Sequence, residues 1–156
     1  MSRQISDLSK PEERARCLSV LARAAADDLE RCWAGLPDKP AFAPLRRPEV
    51  GAVMVRGRIG GTGRPFNLGE MTVTRCSVRS ASGAVGHGYV AGRDTRHAEL
   101  AAMVDALLQD ESRAEQVYRQ VIAPLAAAAE RARDLRGRKA AATRVEFFTM
   151  VRGEDT

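Results

Sequence analysis

Between Val50 and Ala91 the side chains change character at every second position, and two turn-rich breaks divide this run into three. In the first segment Val53, Val55 and Ile59 fall on one side, and Ala52, Met54, Arg56 and Arg58 on the other. A period of two is the repeat of a β-strand. Met71–Arg79 forms the second segment, with Met71 and Val73 alternating against Thr72 and Thr74, and Ala84–Ala91 forms the third. The breaks are Gly60–Gly69, read as a long turn, and Ser80–Gly83, read as a short one. Consecutive strands joined in this way make an antiparallel meander over residues 50–91. The segments on either side must therefore pack on a small sheet.

Those segments read as helices. Ser9-x-x-Glu12 has the form of a capping box, and Pro11 suits a first turn. Leu18, Leu21, Ala25, Leu29, Cys32 and Leu36 follow at helical spacing, which predicts one N-terminal helix within residues 1–36, closed by Gly35 and Pro37. Pro37–Pro48 reads as a connector. After Gly92, Asp94 or Thr95 can cap a helix that runs through Asp110, with Leu100, Val104, Leu107 and Leu108 on one face. Ser112-x-x-Glu115 is a second box, and Ala123–Pro124 marks a break because proline disfavours helix in its predecessor. The next helix would bury Leu125, Ala128, Ala132 and Leu135, so that helices occupy residues 94–139. Val145–Val151 alternates and is a candidate fourth strand. The expected fold is α+β: a small antiparallel meander of three or four strands packed with about four helices, in one domain over residues 1–156.

Charge and composition narrow the function classes. The 156 residues carry 25 Lys and Arg against 20 Asp and Glu, a net charge of +5, and the pI is near 9.6. Such a balance favours acidic partners. Aromatics are only 4% of the chain, which disfavours single-stranded nucleic acid, since its readers stack bases on aromatic rings. Few aromatics and 13 glycines also imply a thin core, of the kind completed by burial against a partner. Cys17, Cys32 and Cys76 are odd in number and widely spaced, which suggests neither a disulfide framework nor a zinc knuckle. With no apolar leader and no long apolar run, the chain is expected to be cytoplasmic.

Several groups of residues can be read in two ways. Gly60-Gly61-Thr62-Gly63 lacks the Lys-Ser/Thr and the following helix of a phosphate-binding loop. It is either a hairpin tip or, with Arg58 and Arg64, a ligand loop. Arg56, Arg58, Arg75 and Arg79 lie in neighbouring strands, as a solvated row or as an interface for an acidic partner. The strand–Gly92–helix junction offers free N–H groups to an anion, which Arg93, Arg96 and His97 would surround. In the alternative, Asp94 only caps the helix and His97 opens its apolar stripe. His87 and His97 are too isolated to make a metal site, so no metal ligand is assigned. Cys76, between Arg75 and Arg79, is either a thiol of lowered pKa or a small packed hydrophobe. Arg131, Arg133, Arg136, Arg138 and Lys139 either complement a helix C-terminus, which is explanation enough, or as the lesser alternative meet nucleic acid.

Four strings taken together carry a family resemblance: RRPEVGAVMVRGRIGGTGRPFNLGEMTVTRCSVR, GHGYVAGRDTRHAELAAMVDALLQ, IAPL and RVEFFTMVRG. In this order and spacing they resemble PhnG, the small subunit of the bacterial carbon–phosphorus lyase system, from about Leu45 to Gly153. The resemblance implies a subunit that works with PhnI, PhnH, PhnJ and PhnL. The implied reaction transfers a phosphonate to the ribose anomeric carbon of MgATP, releasing adenine and giving alpha-D-ribose 1-alkylphosphonate 5-triphosphate. MgATP is then a substrate of the complex, and the chain has no cofactor of its own. The resemblance brings no catalytic residue with it. The competing expectations are a basic RNA-binding adaptor and a stand-alone phosphometabolite-binding protein.

Overall fold

The computed structural model describes residues 10–143; Ser9 of the first capping box and the candidate strand Val145–Val151 lie outside them. The elements follow in the order α1 (Pro11–Arg23), α2 (Ala26–Ala34), β1 (Phe42–Arg58), β2 (Pro65–Ser80), β3 (Val85–Ala91), α3 (Thr95–Leu108), α4 (Ala114–Val117), a π-turn (Tyr118–Ile122) and α5 (Ala123–Ala142). The three strands form one antiparallel sheet in the order β1-β2-β3. This is the α+β meander that the alternation dictates.

The glycines and small residues of the meander position the central helix. Gly86, Gly88 and Val90 of β3 alternate inward, while His87, Tyr89 and Ala91 are exposed. Thr74, Cys76, Val78 and Ser80 of β2 are buried likewise. Helix α3 lies so close to β3 that a Cβ at Gly88 would overlap the carbonyl oxygen of Ala98, and one at Gly86 that of Ala102. Only glycine permits this approach. Helix α3 is apolar almost all round and buries ten of its fourteen residues, as the middle layer of a domain must. Leu21 of α1, Leu29 and Trp33 of α2, and Val121 and Leu125 close the core over it. Each such side chain contributes about 1.5–3 kcal/mol by leaving water.

Several expectations need correction. The single N-terminal helix is two helices, because Ala24 and Ala25 are extended, with ψ of 153° and 135°. Alanine is a strong helix former, so nothing local announces the break. The turn lets Leu21, Leu29 and Trp33 all reach the core. The connector Pro37–Pro48 is strand from Phe42 onward. Its prolines are tolerated because β1 is an edge strand, with register shifts between Pro44 and Arg46 and between Arg46 and Glu49. The long turn contracts to residues 59–64, since Pro65 already pairs with Arg58. Ser112 does not cap a helix: its N–H and hydroxyl both donate to Asp110 Oδ1, and α4 starts without a side-chain cap.

The expected break at Ala123–Pro124 is instead a widened turn, with helix continuing on both sides. Proline lacks an N–H and crowds the carbonyl four residues earlier, and the π-turn just before Pro124 relieves that conflict. Beyond it burial fades. Leu125 is buried and Ala128 half-buried, but Ala132 and Leu135 are exposed, contrary to the periodic pattern.

Candidate functional site

The junction of β3 and α3 is built as the sequence suggests. Gly92 takes a φ of +94°, in the left-handed region, and its N–H donates to the Thr72 carbonyl. Asp94 is the N-cap and accepts from the His97 N–H at 2.8 Å. The three cations expected around an anion are not brought together. His97 is buried, with Nε2 2.7 Å from the Leu21 carbonyl oxygen. Arg96 grips Glu30 of α2 through Nε and Nη2, both at 3.1 Å, and Glu99 through Nη1 at 2.9 Å. Its hydrogen bond holds the Glu30 carboxyl below the usual carboxylate range, and Glu30 raises the Arg96 guanidinium. Arg93 alone of the three is exposed with no hydrogen bond or ion pair among the described residues.

Asp105 is a buried carboxylate held by three hydrogen bonds. It is fully buried on α3 and accepts from Arg14 Nε at 3.0 Å, Arg14 Nη2 at 2.8 Å and the His87 N–H at 2.9 Å. Arg14 also donates to the Val85 carbonyl. One carboxylate thus ties α1 and α3 to the edge strand β3. The hydrogen bond raises the Arg14 guanidinium above its ordinary value. The sequence reading missed this pair. Its one signal is an acid set between Val104 and Ala106 in an otherwise apolar stripe.

The sheet face away from the helices carries a polar cluster. Arg75, Ser77 and Arg79 of β2 lie opposite Tyr89, His87 and Val85 of β3. Ser77 Oγ and His87 Nδ1 are 2.9 Å apart. A serine next to a histidine invites comparison with a nucleophile and its base. Among the described residues, however, no third group orients His87, and the nearby carboxylate Glu49 is held by Arg46 and by Arg75 at 2.6 Å. The pair therefore lacks the orienting member of a catalytic triad. Arg46 and Arg75 hold the Glu49 carboxyl below its usual range.

The four arginines expected at an interface do not share one face. Alternation from Val50, which pairs with Thr74, places Arg56 and Arg58 on the helix side of the sheet and Arg75 and Arg79 on the open side. Arg58 donates to the Gly63 carbonyl within the hairpin tip, where Gly60 and Gly61 have φ of +60° and +81°. The glycine cluster is a hairpin tip between two strands. Cys76 is a packed hydrophobe: it faces away from its neighbouring arginines, and burial pushes its thiol up rather than down.

Among the described residues, no three His, Cys, Asp or Glu side chains gather as a metal site, and no helix is long and apolar enough to cross a membrane. A groove of about 320 Å³ between α1 and the π-turn has an apolar floor of Cys17, Val20 and Ile122, rimmed by Glu13, Arg16 and Glu130.

The comparisons with known proteins agree along nearly the whole chain. The family profile described as "Phosphonate metabolism protein PhnG" matches residues 12–153. A relative from Rhizobium meliloti (strain 1021), alpha-D-ribose 1-methylphosphonate 5-triphosphate synthase subunit PhnG, is 48% identical over 153 residues, covering 96% of each chain. The match spans both the polar junctions and the exposed hairpin described above, and the chain belongs to the PhnG family of phosphonate-metabolism proteins.

Proposed function

We propose that this chain is a subunit of the transferase that makes alpha-D-ribose 1-alkylphosphonate 5-triphosphate from MgATP and a phosphonate, releasing adenine. It does so in the cytoplasm beside PhnI-, PhnH-, PhnJ- and PhnL-like subunits, and it does not catalyse the reaction alone. The observation that carries this reading is the 48% identity to a named synthase subunit over 96% of both chains. The arrangement of side chains agrees with it. Arg14, Arg96, His97 and Asp105, four of the groups able to bind or move charge, are engaged in holding the elements of the fold to one another.

The test is a reconstitution. Adenine release from MgATP and methylphosphonate is measured with the partner subunits alone, with this chain alone, and with both. Release only in the combined mixture is expected. Turnover by the chain alone, or undiminished turnover without it, overturns the reading.

A further inference from the structure

The β1–β2 hairpin outgrows the rest of the fold. Pairing with β3 ends at Val73 and Ala91, and the Gly92 N–H closes it on Thr72. From there residues 52–58 and 65–72 continue as a two-stranded arm that neither β3 nor any further strand among the described residues accompanies. A lone two-stranded ribbon is marginal in water. This one also displays apolar side chains on both faces and at its tip. Ile59 is 71% exposed, Leu68 65%, Met54 51%, Met71 43% and Phe66 40%. So dense a set of large apolar residues marks a surface made to be covered.

The charge of the arm indicates what covers it. Arg56, Arg58 and Arg64 stand against one acid, Glu70, which leaves the arm at +2 (three minus one). Arg56 and Arg64 make no hydrogen bond or ion pair among the described residues. A second copy of the arm would add three further arginines and one acid, so self-pairing opposes like charges. We propose that the arm inserts into a groove on a different subunit of the complex, with an apolar floor for Ile59, Phe66 and Leu68 and an acidic rim for the arginines. The proposal rests on the subunit reading above and assigns the contact to one hairpin.

The full-length chain is co-expressed with its tagged partner subunits in three forms: unaltered, Met54→Ser/Ile59→Ser/Leu68→Ser, and Arg56→Glu/Arg58→Glu/Arg64→Glu. The charge variant alters exposed side chains only, so it keeps the test open if the apolar variant misfolds; circular dichroism monitors both. Each variant is expected to reduce co-purification by about tenfold or more, as loss of a central anchor does. A photo-crosslinking amino acid in place of Ile59 is expected to join a different subunit, at a peptide that mixes apolar and acidic residues. Co-purification undiminished in both variants overturns the proposal and leaves the subunit reading intact. A crosslink to a second copy, or to residues 144–156 of the same chain, has the same effect. Failure of the unaltered chain to co-purify overturns both.

Discussion

The imidazole Nε2 of His97 lies 2.7 Å from the carbonyl oxygen of Leu21, so the first turn of α3 closes off the end of α1. Leu21 falls among the last four residues of a helix that stops at Arg23, where carbonyls have no partner within the helix. A carbonyl only accepts, which places a proton on Nε2. His97→Ala leaves this buried oxygen unsatisfied and is expected to cost about 1–3 kcal/mol. Arg93→Ala, in an exposed side chain, should change stability by less than about 0.5 kcal/mol. Urea denaturation of both variants checks the contrast, and equal effects would assign His97 no structural role.

Gly88→Ala drives a methyl group into the backbone of α3 at Ala98, where the obstacle is a carbonyl and not a flexible side chain. The helix must lift from the sheet, and a loss of about 3 kcal/mol or more is expected. Gly51→Ala meets nothing within 4 Å and serves as the control. Thermal unfolding of the pair separates close packing from a general intolerance of alanine in strands.

Arg14→Met removes the charge that faces Asp105 and leaves a buried carboxylate with only the His87 N–H. Loss of one member of a buried pair costs about 3–5 kcal/mol; a third of the Arg14 side chain still touches solvent, which places the expectation at the low end. Asp105→Asn keeps an oxygen to accept from His87 and should be milder, at about 1–2 kcal/mol. A reversed order in chemical denaturation would show that the pair is not the tie between α1 and β3.

Glu30 and Glu49 have lowered carboxyl pKa values in the fold, caused by Arg96 for the first and by Arg46 and then Arg75 for the second. A depressed folded pKa stabilises above the unfolded value of about 4.3. That contribution fades as pH falls through the lower folded value. Carboxyl carbon resonances followed by NMR should show both acids titrating below other glutamates, and Arg96→Ala should return Glu30, but not Glu49, to the ordinary range.

The meander was legible because strand alternation survives even where burial is partial: Val53 and Val55 are half-buried while Ala52, Met54, Arg56 and Arg58 are exposed. The Asp94 cap and the stripe Leu100, Val104, Leu107 and Leu108 were legible for the same reason, since each is a local pattern. What escaped depends on distant contacts. The break at Ala24–Ala25 is set by what α2 packs on, the extension of β1 back to Phe42 by pairing with Ser80, and the exposure of Leu135 by the lack of any described element over the end of α5. The site was less legible than the fold. A cluster of Arg93, Arg96 and His97 in sequence says nothing of Glu30 and Leu21, which lie 66 and 76 residues away and occupy two of the three.

The measurement that bears most directly on this account is hydrogen–deuterium exchange of the chain alone and in the assembled complex. Slower exchange of residues 52–58 and 65–72 on assembly is the predicted result, because the arm gains a partner only there. Equal exchange in the two states, in a complex that forms and turns over substrate, would contradict it.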